Sequence, residues 1–159
     1  MKNQEWRYID KSAWPDGPWQ EEPDKLQWTD AATGMPCLIV RVHHSGHLCG
    51  YVGVTKTHPL HGRNYDWQTF HPKIHGGLTF ADKCSGKEHG ICHIVEAGED
   101  DDVWWFGFDC AHLGDYCPSQ DWRRSDGDSY CTVTYVQAEC ASLARQLKEV
   151  KATMKGAPE

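Results

Sequence analysis

The chain has 159 residues and a formal charge of −7, with 39% hydrophobic and 25% charged residues. That length makes one compact unit, and the acidic balance excludes general electrostatic attraction to a nucleic-acid backbone or an anionic membrane surface. Eight Trp, six Tyr and four Phe exclude a disordered chain and predict a core built largely on rings.

No stretch reaches the roughly 18 apolar residues of a membrane span, and MKNQEWRYID at the start lacks the apolar segment of a secretion signal. The expectation is a cytoplasmic protein whose eight cysteines are free thiols or metal ligands rather than disulfides.

Residues 1–35 hold Trp6, Trp14, Trp19 and Trp28 with Pro15, Pro18 and Pro23 and no sustained period, the pattern of an irregular arm that closes one edge of the domain. Residues 36–159 form the domain itself. In it, CLIVRVHH (37–44), Ser45-Gly46 and HLCGYVGVT (47–55) predict a β-hairpin, with His43, His44 and His47 facing solvent around its turn. Residues 56–72 read as a long exposed loop. KIHGGLTF (73–80) is a candidate strand broken by Gly76-Gly77, ICHIVEA (91–97) is another, and Glu99 to Asp102 read as a solvated acidic turn. VWWFGFDC (103–110) is apolar on both alternating faces, as a central strand is. Val133, Val136, Cys140, Leu143, Leu147, Val150 and Met154 recur at helical spacing, which lays a long helix on the sheet. Two alternatives stay open: CTVTYV (131–136) as a strand ahead of that helix, and the stripe as a homo-oligomer seam. The fold class is α+β, a mainly antiparallel sheet packed against a C-terminal amphipathic helix.

The chemistry concentrates where the central strand ends. In FDCAHLGDYCP (108–118), Asp109, His112 and Asp115 are spaced by three. A helical turn there sets two carboxylates around one imidazole, an arrangement that fixes a histidine tautomer, holds a cation or grips a polar ligand. The plain alternative is that Asp109 caps the turn and His112 bonds backbone. His75 precedes Gly76 and Gly77 and, in an extended strand, shares a face with Gly77 and Thr79, which leaves an open lane beside the imidazole. Set beside the central strand, His75 meets Asp109 or Cys110, and a Cys110–His75 pair is also the pattern of an activated thiol. Trp104 and Trp105 point to opposite faces; Trp105 is taken as the crevice wall, with Arg41, Lys56, Arg63 and Lys73 as candidate cations for a phosphate.

Zinc is a candidate cofactor. His75, Cys84, Cys110 and His112 are the leading ligands, with Cys92 and His93 as substitutes from CSGKEHGICH (84–93), a segment that also carries His89. CxxC, HEXXH, phosphate-loop, dinucleotide and nucleophile-elbow signatures are all absent.

HGGLTF (75–80), WWFGFDCAHLGD (104–115) and AECASLARQLK (138–148), together with PDKLQWTDAATGMPCLIVR (23–41) and LCGYVGV (48–54), resemble a family of small proteins met in phage and prophage-bearing bacterial genomes. The likeness spans most of residues 23–150 and implies a setting, the cytoplasm of a bacterial host, rather than a set of catalytic residues. The resemblance carries no established activity, but small phage proteins often act on host signalling or defence. Residues and setting together predict binding of a small polar ligand, nucleotide-derived signals included, by His75, Gly76, Gly77, Thr79, Trp105, Asp109, His112 and Asp115. An alternative is zinc-dependent hydrolysis of such a ligand, with His75, Asp109, His112 and Asp115 as catalytic candidates and Asp109 or Asp115 as base. Another is a protein-interaction module that blocks a host factor through Trp14 and Trp19. None of these involves a long nucleic acid or a membrane.

Overall fold

A computed structural model of the chain describes residues 1–66, 70–85 and 90–155, with side chains as far as residue 150. Strands β1 (Gln4–Trp6), β2 (Lys25–Thr29), β3 (Pro36–Arg41), β4 (Leu48–Thr55), β5 (Phe80–Lys83) and β6 (Val103–Asp109) form one sheet in the order β1-β2-β3-β4-β6-β5. All its neighbouring pairs are antiparallel. Helix α1 (Val133–Lys155) lies against β4 and β3. The fold is the α+β arrangement expected, and no helix among the described residues is long and apolar enough to cross a membrane.

Strand alternation decides which residues meet the helix. Cys37, Ile39, Val52, Val54, Phe106 and Phe108 form one core with Val136, Cys140, Leu143, Ala144 and Leu147 of α1. Leu38, Val40, Cys49, Tyr51, Val103 and Trp105 pack on the opposite face. Burying each large aliphatic of the helix stripe contributes roughly 1.5–3 kcal/mol, and this intrachain packing uses the face that an oligomer seam would need. Gly50 makes the approach feasible: a Cβ there would sit 2.5 Å from the Phe108 ring and 2.8 Å from Cys140 Sγ.

Several elements differ from the expectation. The arm closes one edge of the sheet, yet it does so with two regular strands. The buried residues of β2 are Lys25 and Gln27, so the strand carries no apolar alternation to read. Between its strands, Trp19 is buried against Tyr116 and Tyr130, while Trp14 is half-buried. Residues 73–79 are not a strand: Gly76 and Gly77 have φ of 64° and 79°, and two successive left-handed residues turn the chain. The strand starts only at Phe80. ICHIVEA also lies outside the sheet. It makes an isolated bridge through Ile91, and the Gln27 amide bonds both the N–H and the carbonyl of Ile94 in place of a neighbouring strand. Residues 131–136 do not form a strand, because α1 begins at Val133 and Thr132 Oγ1 accepts the Tyr135 N–H. The 56–72 loop is pinned by buried His58, Leu60 and Phe70; His58 Nδ1 accepts the Leu60 N–H and its Nε2–H donates to the Leu147 carbonyl. His43 and His44 are exposed as expected. His47 is buried and bonds Ser45 Oγ at 2.7 Å, which places its ring inside the turn rather than in solvent.

Candidate functional site

Beyond β6 the chain turns back toward α1, and its polar groups organise the turn. Asp109 Oδ1 accepts the Ala111 N–H, so Asp109 caps the turn as its plainer reading required. Asp115 Oδ2 accepts the His112 backbone N–H at 2.9 Å and lies 3.3 Å from its Nδ1. The side chains of Asp109 and His112 approach to 3.9 Å.

His75 arrives from a segment clamped to the helix. Glu139 accepts the His75 N–H, and Gln146 bonds both the N–H and the carbonyl of Lys73. The imidazole then reaches Asp115, 40 residues away, with Nε2 at 2.8 Å from Oδ2. With that N–H donated to the carboxylate, Nδ1 accepts the Tyr135 hydroxyl at 3.0 Å. The rings of His75 and His112 stand 5.5 Å apart. Gly76 is required between them: a Cβ there would lie 2.1 Å from the His112 ring. The His112 ring thus occupies the space beside Gly76, while Gly77 has open space around it.

Cys110 and Cys131 complete the cluster, both buried. Cys131 Sγ lies 3.9 Å from His75 Nε2 and 3.7 Å from Asp115 Oδ1. Burial opposes the charge on Asp115, but hydrogen bonds from His75 and the His112 N–H outweigh it and hold the carboxyl below its ordinary range. The Cys110 thiol is pushed well up, first by its hydrogen bond with Cys131 and then by burial. That direction disfavours the thiolate an activated Cys110–His75 pair would need, although the two groups do lie close together.

Other expected members fall elsewhere. Trp105 is buried on the sheet face away from α1, against the His93 ring, because the strand phase turns Trp104 toward the helix instead. Thr79 anchors backbone, its N–H donating to the Gly107 carbonyl. Cys84 and Cys92 form a disulfide with each other, so neither is a ligand, and the single bridge departs from the all-thiol expectation. Its two half-cystines lie 4.7 Å apart at Cα, close enough to pair. His93 is remote with Trp105, and His89 lies outside the described residues. Arg41 is buried in a network of its own, and Lys56 pairs with Asp102. Neither Arg63 nor Lys73 lines the cavity beside the turn; their backbones bond Trp104 Nε1 and the Gln146 side chain. Of the proposed zinc ligands, His75 remains near Cys110, where Cys131 joins them, and near His112, where Asp115 does.

A cavity of about 440 Å³ opens on the far side of the turn, lined by His44, Ser45, His47, the 111–117 segment, Gln120, Arg123, Arg124, Ser125 and Asp128. Arg124 lies over the Tyr116 ring and Arg123 bonds Gln120 Oε1. Among the described residues, no carboxylate forms an ion pair with either arginine. Leu113 and Trp122 beside the cavity are 107% and 82% exposed. No family model, curated protein or solved structure matches the chain.

Proposed function

We propose that the protein binds a small anionic ligand in this cavity, a phosphate-bearing nucleotide derivative being the class that fits it best. The observation that carries the reading is the lining itself, in which Arg123 and Arg124, without ion-pair partners among the described residues, join His44, His47 and His112 and outnumber the carboxylates of Asp115 and Asp128. The volume of about 440 Å³ is in the range of small-molecule sites. Exposed Trp122, next to Arg123 in the chain, offers a stacking surface worth about 1–3 kcal/mol for a base. In the phage setting suggested by the sequence resemblance, the natural ligand is a host nucleotide signal, and the protein sequesters it.

The test is thermal denaturation of the purified chain against mononucleotides, cyclic mono- and dinucleotides, and inorganic phosphate. A ligand at 100 times its Kd adds about 2.7 kcal/mol of stability, and the midpoint shift shrinks in Arg124→Gln. No shift across the panel overturns the proposal and leaves Leu113 and Trp122 as a surface for a protein partner. Chromatography of the recovered ligand separates sequestration, which returns it intact, from the hydrolytic reading, which does not.

A further inference from the structure

Behind the cavity wall, His75 Nε2, Cys110 Sγ and Cys131 Sγ all lie within 4.8 Å of one another, and a second group of the same kind joins His75 to His112 and Asp115. The two groups share His75 and cannot both hold an ion through the same Nε2, so the geometry must choose between them. Zinc bonds of about 2.0–2.3 Å to nitrogen, oxygen and thiolate set tetrahedral edges of roughly 3.3–3.8 Å between ligand atoms. Cys131 Sγ lies 3.7 Å from Asp115 Oδ1 and 3.9 Å from His75 Nε2, close to such edges. The 2.8 Å contact of His75 with Asp115 is a hydrogen bond, and it needs to open by only about half an ångström when a cation replaces the shared proton. His112 is the outer member: its ring is the most exposed of the five groups, and its backbone N–H steadies the Asp115 carboxylate.

We infer that His75, Cys110 and Cys131 hold a zinc ion, and that Asp115, which lies beside His75 and Cys131, closes the site as fourth ligand by moving toward Cys110. Two thiols, an imidazole and a carboxylate suit zinc, and thiolates select it over hard cations. The surroundings already orient the ligands. Tyr135 sits on His75 Nδ1, where its hydroxyl accepts that N–H once Nε2 binds metal, and the His112 N–H fixes one Asp115 oxygen. Binding at neutral pH releases the two thiol protons to solvent.

Four protein ligands leave no open position for water, so this ion is structural. It fastens three segments: the His75-Gly76-Gly77 turn, the chain leaving β6, and the entry to α1. Asp115 is common to the two sites, since it also lines the cavity, but the inference does not rest on the ligand proposal: the zinc ligands gather whether or not anything binds there.

The experiment measures metal with no organic ligand present. Elemental analysis of the chain purified from zinc-containing medium is expected to give one zinc per chain. Replacement by Co(II) is expected to give visible bands of a tetrahedral site together with a near-ultraviolet thiolate-to-cobalt band. Cys110→Ser and Cys131→Ser lower zinc affinity by more than about 100-fold, beyond the loss expected for an outer partner, whereas His112→Gln keeps the stoichiometry. The cobalt spectrum of the unaltered chain tests the inference even if the serine variants fail to fold. Absence of bound zinc, a cobalt spectrum without the thiolate band, loss of zinc on His112→Gln, or a Cys110–Cys131 disulfide found by mass spectrometry each overturns it.

Discussion

Two polar clusters occupy this small chain, and they differ in how completely their atoms are used. Around Arg41, every guanidinium hydrogen has an acceptor: Nε meets Asp24, Nη1 meets the Gly46 carbonyl and Tyr130, and Nη2 meets Glu22 and the Pro23 carbonyl. Asp24 is equally occupied, by Lys11 and Arg41 on Oδ1 and by the Tyr8 and Ile9 N–H groups on Oδ2. Around Asp115, by contrast, two imidazoles and a thiol gather at distances from 2.8 to 3.7 Å, with a cavity on one side. A saturated network has no donor or acceptor left for a guest, so its charges stitch the arm to the sheet. The second cluster keeps binding capacity because its thiols and the His112 ring are less fully engaged and a cavity adjoins it. Composition alone does not separate the two; partner count and adjoining space do.

The largest test of this contrast removes Asp24. Burial disfavours its charge, but bonds from Lys11 and from the Ile9 and Tyr8 N–H groups hold the carboxyl below its ordinary range. Asp24→Ala leaves Lys11 and Arg41 charged in the interior, and breaking a buried ion pair in this way costs about 3–5 kcal/mol. His112→Gln, at a partly exposed wall of the other cluster, shifts stability by less than about 1 kcal/mol. Urea denaturation of both variants checks the difference; equal losses would erase the distinction between the clusters.

The second test sharpens the open cluster through its glycines. Gly76 and Gly77 both have positive φ, so replacing either by alanine carries a backbone cost of about 1–2 kcal/mol. Only at position 76 does the new methyl also meet the His112 ring; position 77 has nothing within 4 Å. Gly76→Ala is therefore expected to lose more stability than Gly77→Ala and to weaken ligand-induced thermal shifts by displacing His112, while Gly77→Ala keeps them. Identical behaviour of the pair would mean that the fit between Gly76 and His112 is irrelevant to the site.

The two clusters were unequally legible in the sequence. The carboxylate spacing after β6 and the helical stripe follow short-range periods, so the sheet-on-helix plan and a polar turn after β6 could be anticipated, whereas His75 was expected beside Asp109 or Cys110 and instead reaches Asp115 across 40 residues. Alternation alone says that Trp104 and Trp105 point apart. Which of them faces α1 depends on the pairing with β4, and that register is long-range. Cys131 was hidden in a β-branched run that reads as a strand. Tyr135, Glu139 and Gln146, which position His75 and its neighbours, do have a signal: their spacing sets a polar stripe along one side of the apolar one. The Arg41 network draws on Lys11, Glu22, Asp24 and Tyr130, residue types that ordinarily read as solvated, and only the folded chain shows them buried or half-buried together.

The smallest effect concerns His47, which stands between the clusters in character: buried and bonded to Ser45, yet lining the cavity. Burial lowers its affinity for a proton, and the charges of His44 and His112 add to this, while Asp109 and Asp115 act in the opposite sense without overcoming it. Its folded-state value therefore lies below the ordinary 6.5. The unfolded chain takes up the proton first as pH falls, so the contribution of neutral His47 to stability is complete above that value. It declines below it, by at most about 1.4 kcal/mol per pH unit, until the folded form also protonates. Denaturation midpoints of the unaltered chain and His47→Gln, measured from pH 7.5 to 5, give the residue's share as the difference in slope. A steeper decline in the unaltered chain is expected; parallel profiles would mean that water reaches the ring and that His47 belongs with the exposed histidines of its turn.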